Sequence, residues 1–206
     1  MSDSFNKLIE LFRRFPGIGP RQAKRFAFFL LTKDAGYLSE LTRHLSELKK
    51  DTAHCAHCFR FFQKRDKESA CLLCRETSRS NDTLMIVATD TDLESVEKSG
   101  GFAGRYFVLG GTVALLETKP VPPLRLKELT ARVSKEIKKG ELKEVIFALS
   151  ANPDGEHTAD ALRAVLVPLL TTAAVKISTL GRGLSTGSEL EYADAETLKS
   201  ALKNRI

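Results

Sequence analysis

Four cysteines carry the most specific spacing in the chain. They stand as Cys55-x2-Cys58 and Cys71-x2-Cys74, and the chain has no other cysteine. A two-residue spacer lets both thiolates of a pair reach one tetrahedral ion, and the second pair completes the shell. The 12 residues between the pairs are a hairpin-sized excursion, slightly short of the commonest ribbon spacing. The competing use is two redox or disulfide pairs, which suits an exported chain better. The spacing therefore predicts a zinc ion held by Cys55, Cys58, Cys71 and Cys74. Four protein sulfurs leave no open position for water or substrate, so the expected role is structural. His54 and His57 flank the first pair. With four sulfurs present, they read as surface side chains.

A second stretch, FPGIGPRQAKRFAFFLL (residues 15–31), points to a different chemistry. Pro16-Gly17-Ile18-Gly19-Pro20 breaks one helical pattern just before another starts. Gly17 and Gly19 carry no side chain, so a phosphate can approach the backbone closely. The N-terminus of the second helix favours an anion. Arg21, Lys24 and Arg25 surround that point with positive charge. Such a grip positions a nucleic acid without reading its bases. A plain helix–helix turn with a solvated basic face would share the Gly and Pro punctuation. The cations, however, lie at the helix start, where the dipole does not favour them, and this tilts the reading toward an anion site. Arg13, Arg14 and Lys33 are secondary candidates whose ordinary role is solvation.

Other chemistry is thinly represented. The four histidines (44, 54, 57 and 157) are scattered, and none sits beside a Ser or Cys nucleophile by motif. The Gly-rich GRGLSTG (181–187) lacks the Lys-Ser/Thr ending of a phosphate-binding loop.

The elements that must position these residues follow from periodicity. Phe5, Leu8, Ile9 and Phe12 predict an amphipathic helix over 4–15. Ala23, Phe26, Ala27 and Leu30 predict the buried stripe of a second helix beginning near Pro20, a good first-turn residue. Leu38, Leu41, Leu45 and Leu48 mark a third helix over about 35–50, ended by Lys49-Lys50. Residues 54–80 are polar and aperiodic, as a small loop-rich module would be. Beyond them, TLMIVA (83–88), YFVL (106–109), VIFALS (145–150) and VKISTL (175–180) read as buried strands. Helical patterns at 92–99, 124–139 and 159–170 separate them, with Pro168 bending or ending the last. KPVPPL (119–124) is a break. This alternation predicts an α/β domain with a mostly parallel sheet. The tail is a Gly-rich loop, a short strand or turn, and a final helix from about Asp194.

Composition sets the outer bounds. The chain has 206 residues and a formal charge of +6, with a pI of about 9.2. Ten Lys/Arg against five Asp/Glu fall in residues 1–50, so most of the excess charge lies around the glycine-proline turn. No apolar run approaches the roughly 18 residues of a membrane span. The opening MSDSFNKLIE lacks a basic-then-apolar signal pattern. A soluble cytoplasmic protein is the expectation.

PGIGPRQAKR resembles the helix-hairpin-helix DNA-binding motif. Followed in order by the paired CxxC motifs, an α/β segment containing YFVLGG, and GRGLSTGSELEYADAETL, the whole chain resembles the RecR family of bacterial recombination mediators. The resemblance implies an α+β multi-module architecture: a helix-hairpin-helix module at 1–53, a four-cysteine zinc finger at 54–80, a Toprim α/β domain at 81–176 and a C-terminal oligomerisation segment at 177–206. It implies a homodimer or homotetramer that rings DNA. It also implies the partners RecO and RecF, and a role in loading recombinase onto single strands coated by single-strand-binding protein. Catalytic Toprim domains hold Mg²⁺ with a Glu after the first strand and an Asp-x-Asp after a later one, since Mg²⁺ takes hard oxygen ligands. Here Ala88 stands at the Glu position, where the family keeps an acid, and Asn152-Pro153-Asp154 replaces the pair, in a loop about two residues short. These departures put the RecO contact in question. The family's YHV is Tyr106-Phe107-Val108, and the tail is likened to a Walker B motif. Asp90-Thr91-Asp92 follows the wrong strand and reads as a helix cap with first-turn acids. Glu97 and Asp154 read as solvated carboxylates or, alternatively, loose metal ligands.

The expectation is therefore a non-catalytic, sequence-independent DNA-binding mediator in recombinational repair, with Gly17, Gly19, Arg21, Lys24 and Arg25 on the DNA. The alternatives are a Mg²⁺-dependent Toprim nuclease or primase-like enzyme using Asp90, Asp92, Glu97 and Asp154, and a zinc-ribbon protein-interaction module.

Overall fold

The computed structural model describes residues 2–64, 68–114, 124–181, 183–184, 187 and 189–204. Most of the KPVPPL break and part of the GRGLSTG loop lie outside the described residues. Residue contacts divide the chain after Thr52 into two compact units.

The first unit holds α1 (Asp3–Phe12), α2 (Pro20–Leu31) and α3 (Ala35–Asp51). The Ser2 side chain caps α1 by accepting from the N–H of Phe5. Aromatic pairs lock α1 to α2: Phe5 meets Phe28 at 5.0 Å between centroids, and Phe12 meets Phe26 edge-on at 5.8 Å. Within the expected stripe of α2, Ala23 and Ala27 are buried while Phe26 and Leu30 are half-buried. Asp34 caps α3 through the N–H of Tyr37 at 2.9 Å. The leucine stripe of α3 is not covered. No residue of this helix is buried, and Leu45 and Leu48 are 63% and 62% exposed.

The second unit begins with a ribbon of β1 (Thr52–His54) and β2 (Phe61–Gln63), then the short helix α4 (Leu72–Arg75). There follow β3 (Thr83–Val87), α5 (Asp90–Ser99), β4 (Arg105–Val108), α6 (Leu126–Lys139), β5 (Glu144–Ala148), α7 (Pro153–Thr172), β6 (Lys176–Thr179), a 3-10 turn at Leu190–Tyr192, and α8 (Ala195–Lys203). The sheet order is β4-β3-β5-β6, with every neighbour parallel. In register, Ile86 of the central β3 lies between Phe107 and Phe147.

Alternation along the strands sorts the core into two layers. Leu84, Ile86, Phe107, Val145 and Phe147 face α6 and α7, where Leu129, Val133, Leu162, Leu166 and Leu170 complete the first layer. Met85, Val87, Tyr106 and Val108 face the other way. They meet Leu93 of α5 and three of the cysteines, Cys55, Cys58 and Cys71. A sheet buried on both faces explains why TLMIVA reads as an unbroken apolar run.

The largest differences from the sequence expectation fall at the two ends of α7. α7 starts at Pro153, six residues before 159, because Asn152 caps it by accepting from the N–H of Gly155 at 2.8 Å and Pro153 suits its first position. Gly155 is required there, since a Cβ would run into the carbonyl of Ser150. Pro168 does not end α7, which continues to Thr172. Ala164, whose carbonyl loses its helical partner at Pro168, is exposed to solvent. In the tail, Asp194 caps α8 through the N–H groups of Glu196 and Thr197.

Candidate nucleic-acid interface and metal centre

Within the first unit, the turn between α1 and α2 is closed by the N–H of Ile18 donating to the carbonyl of Phe15 at 3.1 Å. Gly17 adopts φ +74°, a left-handed conformation that favours glycine. Gly19 is the N-cap of α2 and offers no side-chain cap, and the first turn holds no acid. By contrast α1, α3, α5, α7 and α8 are each capped by a side chain. The first N–H groups of α2 are thus left for an outside acceptor. A Cβ at Gly17 or Gly19 would meet nothing within 4 Å, so the approach to the backbone is open. Arg21, Lys24 and Arg25 are exposed. None pairs with a carboxylate among the described residues; Arg25 reaches only Gln22 Oε1, at 3.5 Å.

In the second unit, the four cysteine sulfurs all lie within 4.8 Å of one another. Cys55, Cys58 and Cys71 are buried and Cys74 is half-buried. Backbone amides converge on one sulfur: Cys55 Sγ accepts from the N–H of Cys71 at 3.3 Å and of His57 at 3.5 Å. Hydrogen bonds among the four thiols hold Cys55 and Cys71 below the usual thiol range and, with burial, push Cys58 and Cys74 above it. Thiolate character is what a metal ligand needs. This donor set, four sulfurs at tetrahedral reach, fits zinc. His54 and His57 are both exposed. His54 Nδ1 instead lies 3.1 Å from the carbonyl of Phe59.

The cysteine module is joined to the sheet by many bonds that no spacing rule singles out. The N–H of Val108 donates to the carbonyl of Cys58 at 2.8 Å. Asp90 Oδ1 accepts from the N–H of Phe61 at 2.7 Å. Three arginines reach the carbonyls of the two CxxC knuckles. Arg132 donates to His57 at 2.5 Å. Arg125 donates to Phe59 at 3.1 Å and to Val108 at 2.9 Å. Arg105 donates to Leu73 at 3.2 Å and to Cys74 at 3.3 Å. Beside them Arg79 grips both oxygens of Glu97, at 3.0 and 2.6 Å.

These contacts also account for the carboxylates near the expected Mg²⁺ position. Ala88 is buried after β3. Asp92 completes a capping box on α5 with Thr89, accepting from the Thr89 N–H at 2.9 Å. Asp90 serves Phe61 and Glu97 serves Arg79. Asn152 caps α7 and therefore faces its own helix. Among the described residues, the cysteines are the sole group of three or more metal-capable side chains brought together.

Three family models match the chain: the RecR helix-hairpin-helix over residues 5–49, the Toprim domain over 82–181 and the RecR C-terminal region over 183–206. The chain is 38% identical to the recombination protein RecR of Synechococcus sp. (strain JA-3-3Ab), over 97% of this chain and 95% of that protein. It is 37% identical to that of Chloroflexus aggregans, over 97% and 91% of the two chains. It is 36% identical to that of Thermobifida fusca, over 96% and 94%. With a hairpin module, a four-cysteine cluster and a parallel Toprim sheet in this order, the chain belongs to the RecR family of recombination proteins.

Proposed function

We propose that the protein is a non-catalytic mediator of recombinational repair that grips DNA, single- or double-stranded, without regard to sequence. The observation that carries this reading is the uncapped start of α2, with Gly17 and Gly19 leaving the backbone open and Arg21, Lys24 and Arg25 exposed beside it. Uncapped amides, a helix dipole and three cations suit a phosphate. Zinc on Cys55, Cys58, Cys71 and Cys74 is structural in this reading, and no chemical step passes through it. The modules are taken as 1–53 for DNA, 54–80 for zinc, 81–176 for the Toprim domain and 177–206 for assembly.

The clamp is an oligomer, a dimer or tetramer of this chain, and it acts with RecO and RecF to load recombinase. The uncovered leucines of α3 support self-association, because they need a partner surface. The commitment of Asp90, Asp92 and Glu97 to backbone and arginine partners supports holding DNA over cutting or copying it. The test is a binding titration on plain duplex and single strands, run with light scattering in the presence and absence of DNA. Retention of both DNA forms by an oligomer is expected. Mg²⁺-dependent nicking or synthesis would return the Toprim enzyme reading. Absence of any gel shift would leave a protein-interaction module.

A further inference from the structure

The zinc reading accounts for four sulfurs but not for the three guanidinium groups turned toward their backbone. Arg132 on α6 donates to the carbonyl between the first two cysteines, that of His57. Arg125, at the N-cap of α6, donates to the carbonyl just after Cys58, that of Phe59. Arg105, which opens β4, donates to the carbonyls of Leu73 and Cys74 in the second knuckle. Each comes from outside the module and gives at least one donor to a peptide oxygen, while Arg132 also pairs with Glu136, its Nε 3.1 Å from Oε1. Arg105 and Arg125 form no ion pair with a described carboxylate; the remaining bond of Arg105 goes to Asn81, and Arg125 also lies 3.4 Å from His54 Nδ1.

Two physical consequences follow. A carbonyl held by a guanidinium fixes its peptide plane, and in a CxxC knuckle those planes decide where the amides and thiolates point. Phe59 shows the constraint directly: it adopts φ +62°, a conformation uncommon for a bulky residue. Its carbonyl is bonded by Arg125, and its ring lies against Phe107 at 5.3 Å and beneath the Arg125 guanidinium at 5.6 Å. The second consequence is electrostatic. Zinc on four thiolates carries a net charge of about −2, and fixed cations at the knuckle backbone oppose that charge where burial strengthens the attraction.

We propose that Arg105, Arg125 and Arg132 are positioning residues of the metal centre, holding both CxxC knuckles in ligand geometry and setting how tightly the ion is kept. The inference rests on the zinc reading. It makes metal retention a property of the α/β domain as well as of the cysteine module.

The test uses the full chain loaded with zinc. Wild type, Arg125→Met and Arg105→Met are mixed with a chromophoric chelator to follow zinc release, and each is loaded with Co²⁺ to record the thiolate charge-transfer and d–d bands. Leu93→Ala serves as the control, since it loosens the same core layer without touching a knuckle carbonyl. The expected result is metal affinity weakened by about 10–100-fold in the arginine variants, with shifted Co²⁺ bands. Leu93→Ala keeps the wild-type bands. If Arg125→Met fails to fold, Arg125→Lys, which retains the charge but not the fork, takes its place. Wild-type release and bands in both arginine variants, from a wild type that holds one zinc, overturn the proposal. So does equal acceleration in Leu93→Ala at matched loss of thermal stability. A wild type that binds no zinc overturns instead the metal reading on which it rests.

Discussion

The N–H of Val108, the last residue of β4, donates to the carbonyl of Cys58 at 2.8 Å. The second cysteine of the first knuckle is thereby hydrogen-bonded to the sheet of the α/β domain. Together with the shared layer of Met85, Val87, Tyr106 and Val108, this makes the cysteine module, with α5, the cover of one sheet face.

Loss of the metal is therefore expected to weaken the whole second unit. Serine at position 58 keeps the side-chain shape but is a poor zinc ligand. Even the 10–100-fold loss of affinity typical of outer-shell lesions corresponds to about 1.4–2.7 kcal/mol. For a chain of this size that is a fall of roughly 3–11 °C in Tm. Elemental analysis of Cys58→Ser should show less than one zinc per chain, and calorimetry should show the lower Tm. Undiminished stability in metal-free protein would contradict a structural role.

The proposed phosphate grip predicts a salt signature. Each phosphate contact contributes close to one unit to the slope of log K against log salt. Arg21→Ala with Arg25→Ala should lower that slope by about 2, uniformly across sequences. Arg21→Glu with Arg25→Glu should abolish most binding. Titrations at several salt concentrations measure both, and an unchanged slope in the alanine pair removes these residues from the interface.

The two glycines of the turn should respond differently to alanine. Gly17 sits at φ +74°, where a Cβ costs about 1–2 kcal/mol whatever the space around it. Gly19 sits at φ −79°, which any residue adopts, so Gly19→Ala should cost less, about 0.5–1 kcal/mol for a poorer N-cap residue. Denaturant unfolding of the two variants checks the order, and equal losses would argue against the left-handed turn.

Acid should loosen the end of α6. Burial raises the Glu136 carboxyl, but the hydrogen bond and charge of Lys139, with those of Arg132, outweigh it and hold the group below the usual carboxylate range. A lowered folded-state value contributes stability that is present above the unfolded value of about 4.3 and lost as pH falls through the folded value. Glu136→Gln should therefore flatten the fall in Tm between pH 5 and pH 3. The same acid-induced fall in both proteins would show that this ion pair contributes nothing. Glu136 also bonds Arg132 Nε at 3.1 Å, so zinc retention of the variant is worth recording alongside.

Much of the protein is legible from local pattern. Cysteine spacing names a four-sulfur site because a two-residue spacer has only a few geometries that bring two thiolates to one ion. Apolar runs name the strands of a doubly covered sheet, and Pro20 with the two glycines names the start of α2. Asp90 and Asp92 are legible as first-turn acids of a capped helix, although the cap residue itself is Thr89, because capping is a relation between near neighbours. These signals all act within a turn or two of chain. Tertiary structure alone decides what is packed against what. It lays the cysteine module on the sheet, where Arg125 meets Phe59 across 66 positions and Arg132 meets His57 across 75. It gives Asp90 to Phe61 and Glu97 to Arg79, uses that spacing cannot foretell. It leaves Leu45 and Leu48 of α3 in the open, although their periodicity is that of a buried stripe. The physical reason is common to these cases. Periodicity states that a face is apolar or that a side chain can accept a hydrogen bond, whereas the partner is supplied by chain folded from far away in sequence.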